Sequence, residues 1–209
     1  MMNEPGVSPS FLDALAAGTP TPGGGGAAAM MGAMGAALVS MVANLTLGKK
    51  GYEVHEAEMR HLLAASEDLR RRLTDMVAED AAAFDSLMAA YKLPKASDEE
   101  KSRRSAAIQA GLKAATLAPL GCARAAAEGV RLAAQSVAHG NVNVISDVGV
   151  GVLASAAALR SAMLNVQVNV PQIQDRVFTD QALSEIEALA AECLPLADQV
   201  QARVKARMG

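Results

Sequence analysis

The chain is 209 residues long, 51% hydrophobic but only 2% aromatic, without Trp, and carries a formal charge of −3. That length suits a single domain, and the slight acidity excludes the basic footprint of a nucleic-acid binder. Two cysteines, Cys122 and Cys193, suit no disulfide framework and no metal-ligand spacing, so both read as buried free thiols in Ala-rich helical surroundings.

A core without aromatics has to be filled by Leu, Val, Met and much Ala. Each such side chain buries little area, so stability needs many contacts or a second subunit. Met1 to Ser10 has neither a basic region nor an apolar run, which argues against a signal peptide and for a cytoplasmic protein. Ser8-Pro9 reads as an N-cap followed by a first-turn proline and predicts a short helix through about Ala17. Gly18 to Gly26 reads as a Pro/Gly loop. The next helix is expected from about Ala27 to Leu47, with Ala28, Gly32, Ala36, Ser40 and Asn44 forming one small-residue ridge. Met31, Met34, Leu38, Met41, Val42 and Leu45 form a larger apolar face beside it. A helix apolar on both faces is expected at the centre of the fold, with the ridge permitting close packing. The run from Ala14 to Gly48 holds no charge, yet Gly, Ala, Ser40, Asn44 and Thr46 make it weakly hydrophobic. A buried helix, not a membrane span, is the reading.

A long helix is expected from Glu53 to about Tyr91, its stripe reading Leu62, Leu69, Leu73, Met76, Val77, Phe84, Leu87 and Met88. Leu93-Pro94 ends it. Ser97 and Glu100 form a capping box for a fourth helix that runs to about His139, with a kink expected at Pro119. His139-Gly140 is a helix stop. A fifth helix spans about Asn143 to Val168, and a last one Thr179 to Met208. Val166 to Val170 is the one short β-like run, and no internal repeat is evident. The architecture predicted is all-α: a bundle of long helices forming one domain over residues 1–209.

Several residues stand out against this apolar background. Asp80 falls within the stripe of the long helix, one turn after Met76 and one before Phe84. A carboxylate there costs several kcal/mol unless a cation, a helix N-terminus or a ligand pairs with it. Both a paired core Asp and a proton-transferring or heterocycle-binding Asp fit, since burial raises a carboxyl pKa. Ser146-Asp147, after Asn141 and Asn143, precede an apolar run and read most simply as N-capping groups. Asn165 and Asn169, one turn apart on an apolar segment, must be satisfied by each other, the backbone or a ligand. Lys49-Lys50, between Gly48 and Gly51, suit a helix C-terminus and equally an anionic ligand tail. Gly23, Gly24, Gly25 and Gly26 permit close backbone approach at a helix start, but form neither a P-loop nor a dinucleotide fingerprint. His55 and His61 lie on a polar face, and no spacing resembles a metal site.

Taken together, these residues resemble the cyclodeaminase/cyclohydrolase family of folate enzymes. The similar blocks are Pro22-Gly23-Gly24-Gly25, Asn44 to Lys50, Asp80 to Phe84, Leu93-Pro94-Lys95 and Glu99 to Arg104. Gly140-Asn141 to Ser146-Asp147, Asn165-Val166 with Asn169, and Asp175 complete the likeness, which runs the length of the chain in order. The resemblance implies an all-α homodimer acting on a tetrahydrofolate derivative, with no metal and no cofactor beyond the folate substrate. It is nearer the free-standing methenyltetrahydrofolate cyclohydrolases than the cyclodeaminases, whose pattern usually has Ser where Gly26 stands. It also implies roles. Asp80, Asp147 and Lys49 are the catalytic candidates. Gly23, Gly24, Gly25, Asn44, Lys50, Asn143, Ser146 and Asn165 are the substrate-binding candidates. The competing readings are a formiminotetrahydrofolate cyclodeaminase that releases ammonia, and a non-catalytic helical dimer that binds folate or serves as a scaffold.

Overall fold

The structure is a computed structural model that describes residues 9–208. The Ser8 cap therefore lies outside the described residues. Six helices follow one another: α1 (Pro9–Ala16), α2 (Gly24–Asn44), α3 (Glu56–Tyr91), α4 (Asp98–His139), α5 (Ile145–Asn169) and α6 (Arg176–Met208). Short 3-10 turns precede α3 and α5 and follow α5, and no strand occurs among the described residues. The β-like run at Val166 to Val170 is the end of α5 and the turn after it. All-α architecture is thus what the residue pattern predicts and what the chain adopts.

α2 packs against α3, α4 and α5. Its inner face is the small-residue ridge: Ala28, Gly32 and Ala36 and Ser40 are buried, and Ser40 bonds Ser66 of α3 at 2.8 Å. Close packing has replaced bulk as the source of contact. A β-carbon at Gly35 would sit 2.8 Å from the Gly151 carbonyl, so α2 and α5 are nearly backbone to backbone there. The larger face departs from expectation. Met34, Met41 and Leu45 are exposed, because the inner ridge already fills the space between α3 and α5. Asn44, at the end of the ridge, is exposed as well.

α2 begins three residues earlier than its composition suggests, with Gly24, Gly25 and Gly26 in its first turn. Glycine is a poor helix former, and tertiary packing overrides that preference here. α4 runs through Pro119 without interruption, and α6 through Pro195. The capping box at Ser97 and Glu100 is formed, and Arg104 ties the α3–α4 hairpin by donating to the Tyr91 carbonyl at 3.0 Å. Cys122 and Cys193 are buried free thiols.

Length differences position the site. α3 and α4 have 36 and 42 residues against 21 in α2, which makes them roughly 54 and 63 Å long against about 30 Å. They overhang the start of α2, and the overhang makes a cleft. Two segments, Gly24–Asn44 and Val142–Gln172, are long and apolar enough to cross a membrane, but 61% and 50% of their apolar windows are buried inside the bundle.

Candidate functional site

The cleft has a volume of about 410 Å³. Its floor is the first turn of α2, where Gly23 caps the helix with extended backbone and Gly24 and Gly25 open it. One wall is the overhang of α3, with Asp80, Phe84, Met88 and Tyr91. The other is Ala115 and Pro119 of α4 with Asn165 and Asn169 at the end of α5.

Asp80 is half-buried and joins no ion pair among the described residues. Desolvation raises its pKa above the usual carboxylate value, and the backbone N–H of Gly26 pulls in the opposite direction. The helix N-terminus is therefore its partner. That contact requires the glycines: a β-carbon at Gly25 would overlap the Asp80 carboxylate. Burial, with a smaller contribution from the Asp80 charge, pushes the Cys122 thiol up to about 12.

Asn165 and Asn169 each spend their amide N–H₂ on backbone. Asn165 Nδ2 donates to the Ser161 carbonyl at 2.9 Å, and Asn169 Nδ2 donates to the Ala115 carbonyl at 2.8 Å. Ala115 is four residues before Pro119, which has no N–H to give it, so the proline frees the carbonyl that Asn169 takes. Neither Oδ1 atom has a donor among the described residues, and both residues line the cleft. Asp80 and these two oxygens make a set of hydrogen-bond acceptors suited to a cationic or N–H-rich heterocycle.

The remaining predicted residues are elsewhere. Asn44 ends α2 and Lys49 and Lys50 follow it, with Asn143, Ser146 and Asp147 at the start of α5. The length of α2, about 30 Å, separates this group from Asp80 within one chain. Asn141, which carried no assigned role from sequence, organises it. Its N–H donates to Thr46 Oγ1 at 2.9 Å, its Nδ2 to the Leu45 carbonyl at 2.9 Å, and its Oδ1 accepts from the Asn143 N–H at 3.0 Å. The Tyr52 hydroxyl accepts from the Val142 N–H, and His55 stacks on His139 with ring centroids 4.2 Å apart. The Lys49-Lys50 turn is closed by Gly48 at φ 70° and Gly51 at φ 90°, a backbone region that favours glycine.

Ser146 and Asp147 do not cap α5 as expected. The cap position is Val144, with no side-chain cap bond, and both residues lie inside the first turn. Asp147 is half-buried, and neither it nor Lys49 nor Lys50 joins an ion pair among the described residues. Among the described residues no three His, Cys, Asp or Glu side chains gather as a metal site. Phe84 was visible in the stripe of α3, whereas Tyr91 and Gln172, whose side chains bond each other at 3.1 Å, carried no signal beyond position.

Residues 8–188 match the signature of the family described as formiminotransferase-cyclodeaminase. A methenyltetrahydrofolate cyclohydrolase of Methylorubrum extorquens is 54% identical over 199 residues, covering 95% of this chain and 96% of that one. A formimidoyltransferase-cyclodeaminase of Mus musculus is 35% identical over 94% of this chain, which spans only 36% of that protein. The crystal structure of a formiminotetrahydrofolate cyclodeaminase from Thermotoga maritima superimposes with a TM-score of 0.85 at 32% identity, covering 96% of both chains.

Proposed function

The chain belongs to the formiminotransferase-cyclodeaminase family, and from that premise we propose that it hydrolyses 5,10-methenyltetrahydrofolate to 10-formyltetrahydrofolate. The observation that carries this reading at the site is Asp80, a desolvated carboxylate with no cationic side chain paired to it among the described residues, facing a cleft at a helix N-terminus. The substrate is a cationic amidinium on a flat pterin, so the substrate itself supplies the missing positive charge.

Water adds to the methenyl carbon, and Asp80 takes the proton it loses. The bond from that carbon to N5 then breaks, its electron pair returns to N5, which takes up a proton, and the hydroxyl on the carbon loses its remaining proton as the formyl C=O forms. One proton is released overall, as a cation plus water becomes a neutral formamide. Substrate and water are the only reactants, and we assign no metal or cofactor. The Oδ1 atoms of Asn165 and Asn169 accept from the pterin N–H groups, while Gly23, Gly24 and Gly25 let the ring approach the backbone. Asp147, Lys49 and Lys50, with Asn44, Asn143 and Ser146, serve the developing oxyanion and the anionic glutamate tail, in a homodimer.

The near-ultraviolet absorbance of the methenyl compound tests the assignment. Rapid loss above the spontaneous rate is expected. If the protein leaves that compound unchanged but releases ammonia from formiminotetrahydrofolate, the cyclodeaminase reading replaces this one. Gly26, buried where the deaminase pattern has Ser, favours the hydrolase.

A further inference from the structure

α4 ends by diverting its hydrogen bonds. The Gly140 N–H closes the last turn on the Ser136 carbonyl at 2.9 Å, and Gly140 itself is extended, at φ −65° and ψ 152°. In a continuing helix the next N–H would return to the Val137 carbonyl. Asn141 sends it to Thr46 Oγ1, just past the end of α2, instead. Val142 and Asn143 turn away as well, to the Tyr52 hydroxyl and to Asn141 Oδ1. The carbonyl of Val137, a fully buried residue, is thereby left without its helical donor, and a buried orphan is costly. The Gly140 carbonyl is in the same position, because the Val144 N–H goes to the Asn141 carbonyl.

One side chain answers both. Arg207, in the last turn of α6, donates from Nη1 to the Val137 carbonyl and from Nη2 to the Gly140 carbonyl at 3.1 Å. It joins no ion pair among the described residues, whereas Arg124 and Arg131 of α4 grip Glu185 and Glu192. Val204, nearly one turn earlier, seats the same helix end on α5: a β-carbon at Gly149 would meet Val204 Cγ1 at 3.2 Å. Gly149 is two residues after Asp147. Position 207 lies beyond the residues 8–188 that match the family signature.

We propose that Arg207 is a positioning residue for the hydrolysis: its guanidinium holds the Val137 and Gly140 carbonyls, which frees Asn141 to tie the end of α2 to the start of α5 and so sets Asp147 and Lys49 for the chemical step. This rests on the cyclohydrolase reading of those two residues. Without the guanidinium, the nearest donor for the Val137 carbonyl is the Asn141 N–H. α4 then winds on by one residue, a rise of about 1.5 Å, and the bond to Thr46 is lost. Lysine cannot copy the grip, because an ammonium lacks the planar fork that serves two carbonyls at once.

Steady-state hydrolysis by full-length variants tests this. In Arg207→Ala, kcat should fall about 10- to 100-fold with KM little changed, as expected for reacting groups displaced by an ångström or so. Arg207→Lys should recover only part of that rate. Arg124→Ala, which removes another tie between α4 and α6, should keep the wild-type rate. The Arg207→Ala, Asn141→Ala double variant should be no slower than the slower single variant, because both act through one turn. A wild-type kcat in Arg207→Ala, a loss confined to KM, a fully active Arg207→Lys, or losses that multiply in the double variant would overturn the proposal. If the wild type does not hydrolyse the substrate, the functional reading fails, and amide hydrogen exchange judges the positioning by itself. Exchange over Asn141 to Val144 should then quicken in Arg207→Ala and not in Arg124→Ala. Equal exchange in the two variants would overturn it.

Discussion

Gly25 and Asp80 occupy space that admits no side chain between them: a β-carbon at position 25 would overlap the carboxylate of residue 80. The first turn of α2 and the middle of α3 are held at that separation by burial on both sides, with Gly26 against Val77 and Leu73 against Gly32.

Gly25→Ala should therefore displace the carboxylate while leaving the bundle folded. A shift of about 1 Å in a reacting group costs roughly 100-fold in rate. Methenyltetrahydrofolate hydrolysis should drop by about that factor with an unchanged circular dichroism spectrum. A variant with near-normal turnover would show that Asp80 does not act from this position.

Asp80→Asn should abolish turnover and change the pH dependence. The folded pKa of Asp80 lies above 3.8 because of desolvation. Its favourable contribution to stability is complete below that value and is lost as pH rises through the folded pKa. At neutral pH the ionised group is thus a burden on the fold, and the Asn variant should melt no lower than wild type, with the advantage vanishing in acid. The wild-type pH–rate profile should have an acid limb above 3.8, and a variant with residual activity should lack that limb. Thermal unfolding at neutral and acid pH, together with the rate profile, checks both.

Gly35→Ala should be among the most destabilising single changes in the chain. Its β-carbon would meet the Gly151 carbonyl at 2.8 Å and the Ser155 backbone nitrogen at 3.2 Å, and backbone cannot rotate away. Overpacking of this kind costs about 3 kcal/mol, readable in urea denaturation. Gly18→Ala, with nothing within 4 Å, serves as the neutral control.

Asn141→Ala should loosen the Lys49 end of the molecule. It leaves the Leu45 carbonyl and the Asn143 N–H without their partners. Both bonds are part-buried, and a hydrogen bond of that kind contributes about 0.5–1.5 kcal/mol. Hydrolysis should fall further than that loss of stability explains, since the turn that carries the lysines is no longer tied to α5.

Helix ends were legible where the chain has strong punctuation: Leu93-Pro94, the Ser97–Glu100 box and Gly140 all mark observed boundaries. The start of α2 was not, because glycine carries no helix signal and the reason for it is a carboxylate 55 residues away in sequence. Asp80 could be singled out by its place in an apolar stripe, but its meeting with Gly25 and Asn165 depends on tertiary register. The separation of Asp80 from Lys49 was implicit in the pattern, since one predicted helix lies between the glycines and the lysines. Asn141 is invisible to any periodic pattern, because its role is to join two turns.

Pro119 has a consequence for how the cleft can evolve. Any residue other than proline at that position brings back an amide hydrogen aimed at the Ala115 carbonyl, which then competes with Asn169 for the same lone pairs. Pro119→Ala should strengthen α4 as an isolated helix yet release the Asn169 side chain and raise KM for the folate. A gain in melting temperature accompanied by weaker substrate capture would show that this helix gives up regularity in order to hold its neighbour. The proline in α4 and the amide at the end of α5 thus act on one carbonyl, that of Ala115.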